Sequence, residues 1–226
     1  MAQYAFEHEH EHEHEQEHEH EQVETVVTPV ADPIPLGMGT LAFTTALLGC
    51  FYAGFIVPSL GPGARLVIST ALFFGGIVQI LAGMWEFKKA NTVAATIFSS
   101  YGGFLVALGA IFGALGPLLG AGIFNTAFGL LFLCWTIFTG VLVLGTLRTN
   151  MALMAVLLLL FVSYLFLAIG HLALGMTILL RIGGWLGIVS ALVAWYIALA
   201  DLLEDAHGPV QLPMGWIRYS QRHAAA

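Results

Sequence analysis

The chain of 226 residues is 58% hydrophobic and only 9% charged, with a mean hydropathy of +0.87. An ordinary soluble domain cannot hide that much apolar surface, so the composition excludes one and indicates an all-α membrane protein with several spans. The formal net charge of −7 comes from the N-terminus, because residues 1–24 hold nine glutamates and neither Lys nor Arg. The remainder holds five acidic and seven basic residues.

The N-terminus is a low-complexity segment in which acid and imidazole side chains alternate over residues 7–22. Such a segment cannot build a core, and we expect it to be disordered. Whether it binds metal weakly, responds to pH or is inert stays open. The predicted domains are a cytoplasmic tail over residues 1–30, a six-helix transmembrane domain over 31–206, and a second cytoplasmic tail over 207–226.

Six apolar runs of about 20 residues follow the tail, and each is long enough to cross a hydrocarbon core about 30 Å thick. The predicted spans are 37–57, 67–85, 92–115, 122–144, 151–170 and 182–200. Pro35 suits the first turn of the first helix. The polar residues 86–91 separate the second and third spans, so we interpret these two spans as a helical hairpin with a tight turn at the surface.

An even number of spans places both termini on one side of the membrane, and the basic residues indicate which side. The side of the membrane on which both termini lie has five basic residues, Lys88, Lys89, Arg148, Arg218 and Arg222. The opposite side has two, Arg65 and Arg181. This distribution predicts an integral protein of the plasma membrane with both termini in the cytoplasm.

The six predicted spans lack Asp, Glu, Lys and Arg. This absence argues against a pump with a buried carboxylate and against an intramembrane enzyme. Proton coupling would then use Glu86, Asp32 or His171 near the span ends, or the proton would travel on the substrate. No cofactor or metal is expected, and Cys50 and Cys134 are interpreted as packing residues.

Hydroxyl and amide groups are the polar side chains that remain at membrane depth. Thr44, Thr45, Gln79 and Ser99 can line a narrow path that forms hydrogen bonds with a small polar solute. A single Ser or Thr more often bonds back to its own helix. Gln79 carries more hydrogen-bonding groups than a hydroxyl, and we therefore predict that it faces the path.

Three segments resemble the acetate uptake transporters, also called the succinate-acetate permease or Gpr1/Fun34/YaaH family. They are DPIPLG at 32–37, FFGGIVQILAGMWEFKKANTVAATIFSSYGG at 73–103, and AWYIALADLL with LPMG near the C-terminus. The resemblance covers about residues 31–215. It implies a six-helix protomer with a pore through each subunit, a homohexamer, and transport of acetate and related monocarboxylates, with succinate in some members.

The resemblance also implies a hydrophobic constriction at Leu41, Tyr101 and Leu160, and a position linked to acid selectivity at Ala194. Asp32 stands where the family usually has Asn. The free N–H groups at the start of a helix favour binding of a substrate carboxylate, and the negatively charged Asp32 would cap the same groups and compete with it. The predicted substrate pathway comprises Asp32, Leu36, Gly37, Leu41, Thr44, Thr45, Gln79, Glu86, Ser99, Tyr101, Leu160 and Ala194.

The predicted function is channel-like or proton-linked transport of acetate and related small monocarboxylates across the lipid bilayer. A channel for neutral solutes such as urea, amides or ammonia would use a similar uncharged pore. A sensor or scaffold protein is a third possibility, and it would bind a partner through its tails. Nothing in the sequence resembles a nucleic-acid or nucleotide site.

Overall fold

The computed structural model describes residues 30–55, 67, 69–115, 118, 120–147, 149–173, 176–207 and 212–213. The chain divides into two units, Met1–Ala31 and Asp32–Ala226, and the fold described here is that of the second. Within the described residues, six helices are long and apolar enough to cross a membrane. The six-helix architecture predicted from the sequence is therefore confirmed. The predicted tails lie almost entirely outside the described residues.

The six helices are labelled in chain order. They are α1 (Ile34–Ala53), α2 (Ala71–Lys88), α3 (Thr92–Ala110), α4 (Ala121–Thr146), α5 (Met151–Leu172) and α6 (Thr177–His207). The first part of α2, Ala71–Val78, is a π-helix, and a π-helical turn, Ile111–Leu115, extends α3.

Local sequence explains where three of the helices begin. α1 has a proline in its first turn, as predicted, where a missing N–H costs nothing. The Asn91 side chain accepts a hydrogen bond from the Ala94 N–H at 3.3 Å and so caps α3. The Asn150 side chain caps α5 in the same way, accepting from the Leu153 N–H at 2.6 Å.

Two helices extend into segments that the sequence analysis treated as polar connections. α2 continues through Glu86, and α6 includes both Arg181 and Asp201. The expectation that the spanning helices lack charged residues is therefore wrong. Glu86 is fully buried, although it was predicted to belong to a surface turn. It lies about two helical turns after the buried Gln79, on the side of α2 that packs into the bundle, so protein and not lipid surrounds it.

Helix packing joins the six helices into one bundle. α1 packs most extensively on α6, and α5 packs on both α4 and α6. α2 pairs with α3, which confirms the predicted hairpin, and both of these helices also contact α1. Large apolar side chains such as Phe73 remain exposed on the outside, as expected for a surface that faces lipid.

Candidate substrate pathway

A cavity of about 220 Å³ lies at the end of the bundle where α1, α3 and α5 begin and α6 ends. We call it the mouth cavity. Its lining includes both apolar and polar residues, and Asp201 of α6 supplies a carboxylate. The lining residues are Ile34, Met38, Asn91, Val93, Ala94, Ile97, Phe98, Thr149, Asn150, Leu153, Ile197 and Asp201.

A second, much smaller cavity of about 10 Å³ lies among α1, α5 and α6. We call it the inner cavity. On α1, Met38 lines the mouth cavity, whereas Thr45, about two turns later, lines the inner cavity. On α5, Leu153 lines the mouth cavity, and Leu160, about two turns later, lines the inner cavity. The two cavities are therefore separated along the axis of the bundle.

The layer between the cavities consists of Leu41, Tyr101, Leu157 and Ala194, which we call the neck. Each of these side chains is at most 1% exposed, and all four belong to one hydrophobic cluster. Leu160 borders the inner cavity directly beside this layer. The structure therefore places Leu41, Tyr101, Leu160 and Ala194 in one buried hydrophobic cluster.

Contacts from α4 fix the ring of Tyr101 in the neck. Its hydroxyl lies 3.0 Å from the Thr139 hydroxyl. The ring packs edge-on against Trp135, with a centroid distance of 5.2 Å. Because both partners lie on α4, a movement of α4 relative to α3 would displace the Tyr101 ring in the neck.

The mouth cavity has helix N-termini and carboxylates close together. The backbone N–H groups that begin α1, α3 and α5 are at this end, and such termini favour anions. Asp32, one residue before the N-cap Pro33, opposes this effect, because its Oδ1 accepts a hydrogen bond from the Ile34 N–H at 3.0 Å. Lys89 Nζ in turn lies 3.1 Å from Asp32 Oδ1 and offsets that charge. The sequence analysis missed this ion pair and the position of Asp201.

Four buried polar side chains form a separate group between α1, α2 and α3. We call Thr44, Gln79, Ser99 and Glu86 the polar seam. The side-chain oxygen and nitrogen atoms of Thr44, Gln79 and Ser99 are buried and have no hydrogen-bond partner among the described residues, and the buried carboxylate of Glu86 has Asn91 nearby. Buried polar groups nearly always have a partner in proteins, so these atoms indicate a site for water or solute.

Two glycines of α2 bring the neighbouring helices close to the polar seam. A Cβ atom at Gly75 would overlap the Thr44 side chain, and one at Gly83 would overlap Ser99. Gln79 lies midway between these glycines, one turn from each, on the same side of the helix. The seam therefore runs along α2 beside the neck, and its residues line neither the mouth cavity nor the inner cavity.

The remaining predicted residues do not line the two cavities. Leu36 is 48% exposed, and Gly37 is buried against the ring of Phe98. Thr96 bonds back to its own helix, as expected for most hydroxyls, by donating to the Thr92 carbonyl at 2.7 Å. Among the described residues, no cluster of His, Cys, Asp and Glu is arranged to hold a metal ion.

Six helices that are long and apolar enough to cross a membrane, packed in one bundle with two cavities, define a polytopic membrane protein. The chain belongs to the GPR1/FUN34/yaaH family, whose sequence pattern matches residues 16–217. This membership makes it a membrane transport protein and not an enzyme.

Two relatives and one solved structure are similar to this chain over most of its length. The succinate-acetate/proton symporter SatP of Escherichia coli K12 is 35% identical over 190 residues, covering 83% of this chain and 97% of that protein. Accumulation of dyads protein 2 of Saccharomyces cerevisiae is 39% identical over 182 residues, which is 76% of this chain but only 61% of the yeast protein. The structure of the bacterial acetate channel SatP superposes with a TM-score of 0.73 at 34% identity, covering 83% of this chain and 100% of that one.

Proposed function

We propose that the protein transports acetate and related small monocarboxylates, with succinate as a further substrate, through its own six-helix bundle. The observation that carries this proposal is the buried apolar neck between the mouth and inner cavities. The similarity to a succinate-acetate/proton symporter and to a bacterial acetate channel supports the class of substrate.

The neck favours the protonated acid over the carboxylate. An ionised carboxylate loses its hydration in an apolar layer at a much larger free-energy cost than a neutral carboxyl group does. Leu41, Leu157 and Ala194 offer no hydrogen-bond donor that would compensate, and the Tyr101 hydroxyl is already paired with the Thr139 hydroxyl. The acid therefore crosses the neck with its proton, and flux at a fixed total concentration falls as the pH rises and the protonated fraction decreases.

The polar seam would provide the wall that becomes accessible when the neck opens. Thr44 is the neighbour in sequence of Thr45, which lines the inner cavity, and Ser99 is the neighbour of Phe98, which lines the mouth cavity. A small outward movement of α2 and α3 would expose Gln79 to a solute in the neck. Water occupies the seam when the neck is closed and satisfies its donors and acceptors.

The orientation and assembly follow from charge and family resemblance. The mouth cavity faces the cytoplasm, together with both termini, because Lys88 and Lys89 lie at the end of α2 on this side. The protein resides in the plasma membrane as a homohexamer in which each protomer has its own path. Residues 1–30 and 207–226 form cytoplasmic tails of the transport domain.

A solute panel tests the proposed substrate class. Purified protein in liposomes is assayed for uptake of labelled acetate and succinate and, by light scattering, for swelling driven by urea or acetamide. Acetate uptake above that of protein-free liposomes, with slower urea entry, is the expected result. Swelling by urea or amides without acetate uptake would select the neutral-solute channel. The absence of all flux from folded protein would favour a sensor or scaffold.

A further inference from the structure

The apolar residues that line the mouth cavity include one on each of four helices that lies one turn from a neck residue. The four pairs are Met38 with Leu41, Phe98 with Tyr101, Leu153 with Leu157, and Ile197 with Ala194. We call Met38, Phe98, Leu153 and Ile197 the cavity floor. The helical register therefore places an apolar surface on the side of the mouth cavity that is nearest to the neck.

Polar residues line the opposite side of the mouth cavity, away from the neck. Asn91 and Asn150 directly precede α3 and α5, before the floor residues of those helices. Asp201 lies one turn beyond Ile197, further along α6. The cavity therefore has a polar rim and an apolar floor.

Asn150 supplies an amide donor at this rim. Its Oδ1 accepts a hydrogen bond from the Leu153 N–H at 2.6 Å, and this bond fixes the orientation of the amide, because a backbone N–H can only donate. The Nδ2 group carries two hydrogens and has no hydrogen-bond partner among the described residues. Asn91 caps α3 in the same way, but its side chain also interacts with the buried Glu86 carboxylate.

Asp201 supplies an acceptor on the same rim. Its carboxylate forms no hydrogen bond with any of the described residues. The described charged groups that act on it are three carboxylates and one ammonium group, those of Glu204, Asp205, Asp32 and Lys89. α5, which packs on α6, contributes Asn150 and no charged side chain to the cavity lining. The surroundings of Asp201 therefore disfavour a further ionised carboxylate.

A monocarboxylic acid matches this arrangement of groups. One of its oxygens can accept from Asn150 Nδ2, and the other can form a hydrogen bond with the Asp201 carboxyl group. Two ionised carboxylates in contact repel each other, so the acid and Asp201 hold one proton between them, on either partner. The alkyl chain of the acid then lies on the cavity floor and points toward the neck.

We propose that the mouth cavity is a binding site for a short monocarboxylic acid, in which Asn150 and Asp201 bind the carboxyl group and the cavity floor binds the alkyl chain. The inference rests on the proposed transport function and deepens it, because it names the preferred kind of acid. Succinate would place its second carboxyl group on the apolar floor, where that group loses hydration without a hydrogen-bond partner, so succinate binds more weakly than a monocarboxylate.

Competition for labelled acetate uptake tests how the alkyl chain is recognised. Proteoliposomes at pH 5 receive unlabelled acetate, propionate or succinate, and the rate in protein-free liposomes is subtracted. Propionate should inhibit more strongly than acetate by up to roughly 4-fold, as expected for one additional buried methylene. Succinate should inhibit more weakly than propionate. Equal inhibition by propionate and succinate would overturn the assignment of the cavity floor.

Substitutions of Asn150 test how the carboxyl group is recognised. Asn150→Asp and Asn150→Ser both keep an oxygen that can cap α5, and both lack the amide donor. Each should raise the KM for acetate by about 3- to 10-fold, as expected for one lost hydrogen bond, while the thermal unfolding midpoint stays near that of the wild type. Because Asn150→Ser adds no charge, it separates the loss of the donor from an electrostatic effect.

Asp201→Asn tests the shared proton. The variant has no carboxylate at the rim to repel an ionised substrate, so its KM for total acetate should change less between pH 5 and pH 7 than the wild-type KM, which should rise with pH. Glu204→Gln is the matched control. It removes an equal charge from the same helix, outside the cavity lining, and should keep the wild-type KM and its pH dependence.

The outcomes distinguish this inference from the proposed function. If wild-type protein transports acetate but the Asn150 and Asp201 variants keep the wild-type KM at both pH values, the site is refuted and transport stands. An equal change in Glu204→Gln would assign the effect to surface charge and would also refute the site. If wild-type protein gives no uptake above protein-free liposomes, the proposed function fails and the inference fails with it.

Discussion

Leu41 is the neck residue whose replacement should change transport most directly. It is 1% exposed and lies between Met38 of the mouth cavity and Thr45 of the inner cavity. Leu41→Ala removes three carbon atoms from the layer that separates the cavities, and it should lower the free energy of unfolding by about 2–5 kcal/mol. A narrow apolar site discriminates by roughly 10-fold or more for each methylene. The wider neck should therefore raise butyrate uptake relative to acetate uptake by roughly 10-fold.

The assay measures initial uptake of both labelled acids by the same proteoliposomes at the same acid pH. Leu108→Ala is the matched control, because Leu108 is also 1% exposed but lies in the core of α3, outside the neck and both cavities. It should lose comparable stability and keep the wild-type ratio of butyrate to acetate. The reasoning is refuted if Leu41→Ala keeps the wild-type ratio, or if Leu108→Ala raises that ratio equally.

Three other substitutions test particular contacts. Gln79→Leu removes a buried amide that has no hydrogen-bond partner among the described residues, so acetate uptake should change several-fold while the elution volume on size exclusion stays that of the wild type. Thr139→Val leaves the buried Tyr101 hydroxyl unpaired and should cost about 1–3 kcal/mol, which thermal unfolding in detergent would detect and a wild-type midpoint would contradict. Gly184→Leu places a side chain against the Ala53 backbone, so folded protein should be lost; a monodisperse, active variant would show that α1 and α6 are not packed so closely.

The number of helices and the hairpin could be predicted because membrane thickness fixes the length of an apolar run. Whether the charged residues near the helix ends are buried or exposed could not be predicted in this way. Hydropathy treats Glu86 as incompatible with lipid, but the structure surrounds it with protein. Sequence shows that a charge lies near the membrane; only packing shows whether it faces lipid, water or another helix.

The neck and the polar seam show a second limit of sequence reasoning. Helical spacing places Gln79 on one side of α2, but it does not say which helices that side will meet. Thr44 and Thr45 are adjacent in sequence, yet Thr45 lines the inner cavity and Thr44 faces α2. His171 was considered for proton coupling, and no local signal reveals its distant partners Tyr52 and Asn125.

The ends of the helices were partly predictable. Asp32 was expected to cap α1; Pro33 occupies the N-cap position, and the Asp32 side chain accepts from the N–H of the first helical residue, Ile34. The asparagines that precede α3 and α5 are also readable as capping residues. The pairing of Lys89 with Asp32 joins α1 to the hairpin turn, and it depends on tertiary packing that local rules do not describe.

The measurement that tests the central claim most directly is uptake of labelled acetate into proteoliposomes, with the outside more acidic than the lumen and with no pH difference. Protein-free liposomes serve as the control, because acetic acid also crosses lipid. The account predicts protein-dependent uptake that increases as the outside is acidified, since protonated acid crosses the neck. Uptake no greater than in the lipid control, or protein-dependent flux that is the same at acid and neutral pH, would contradict it.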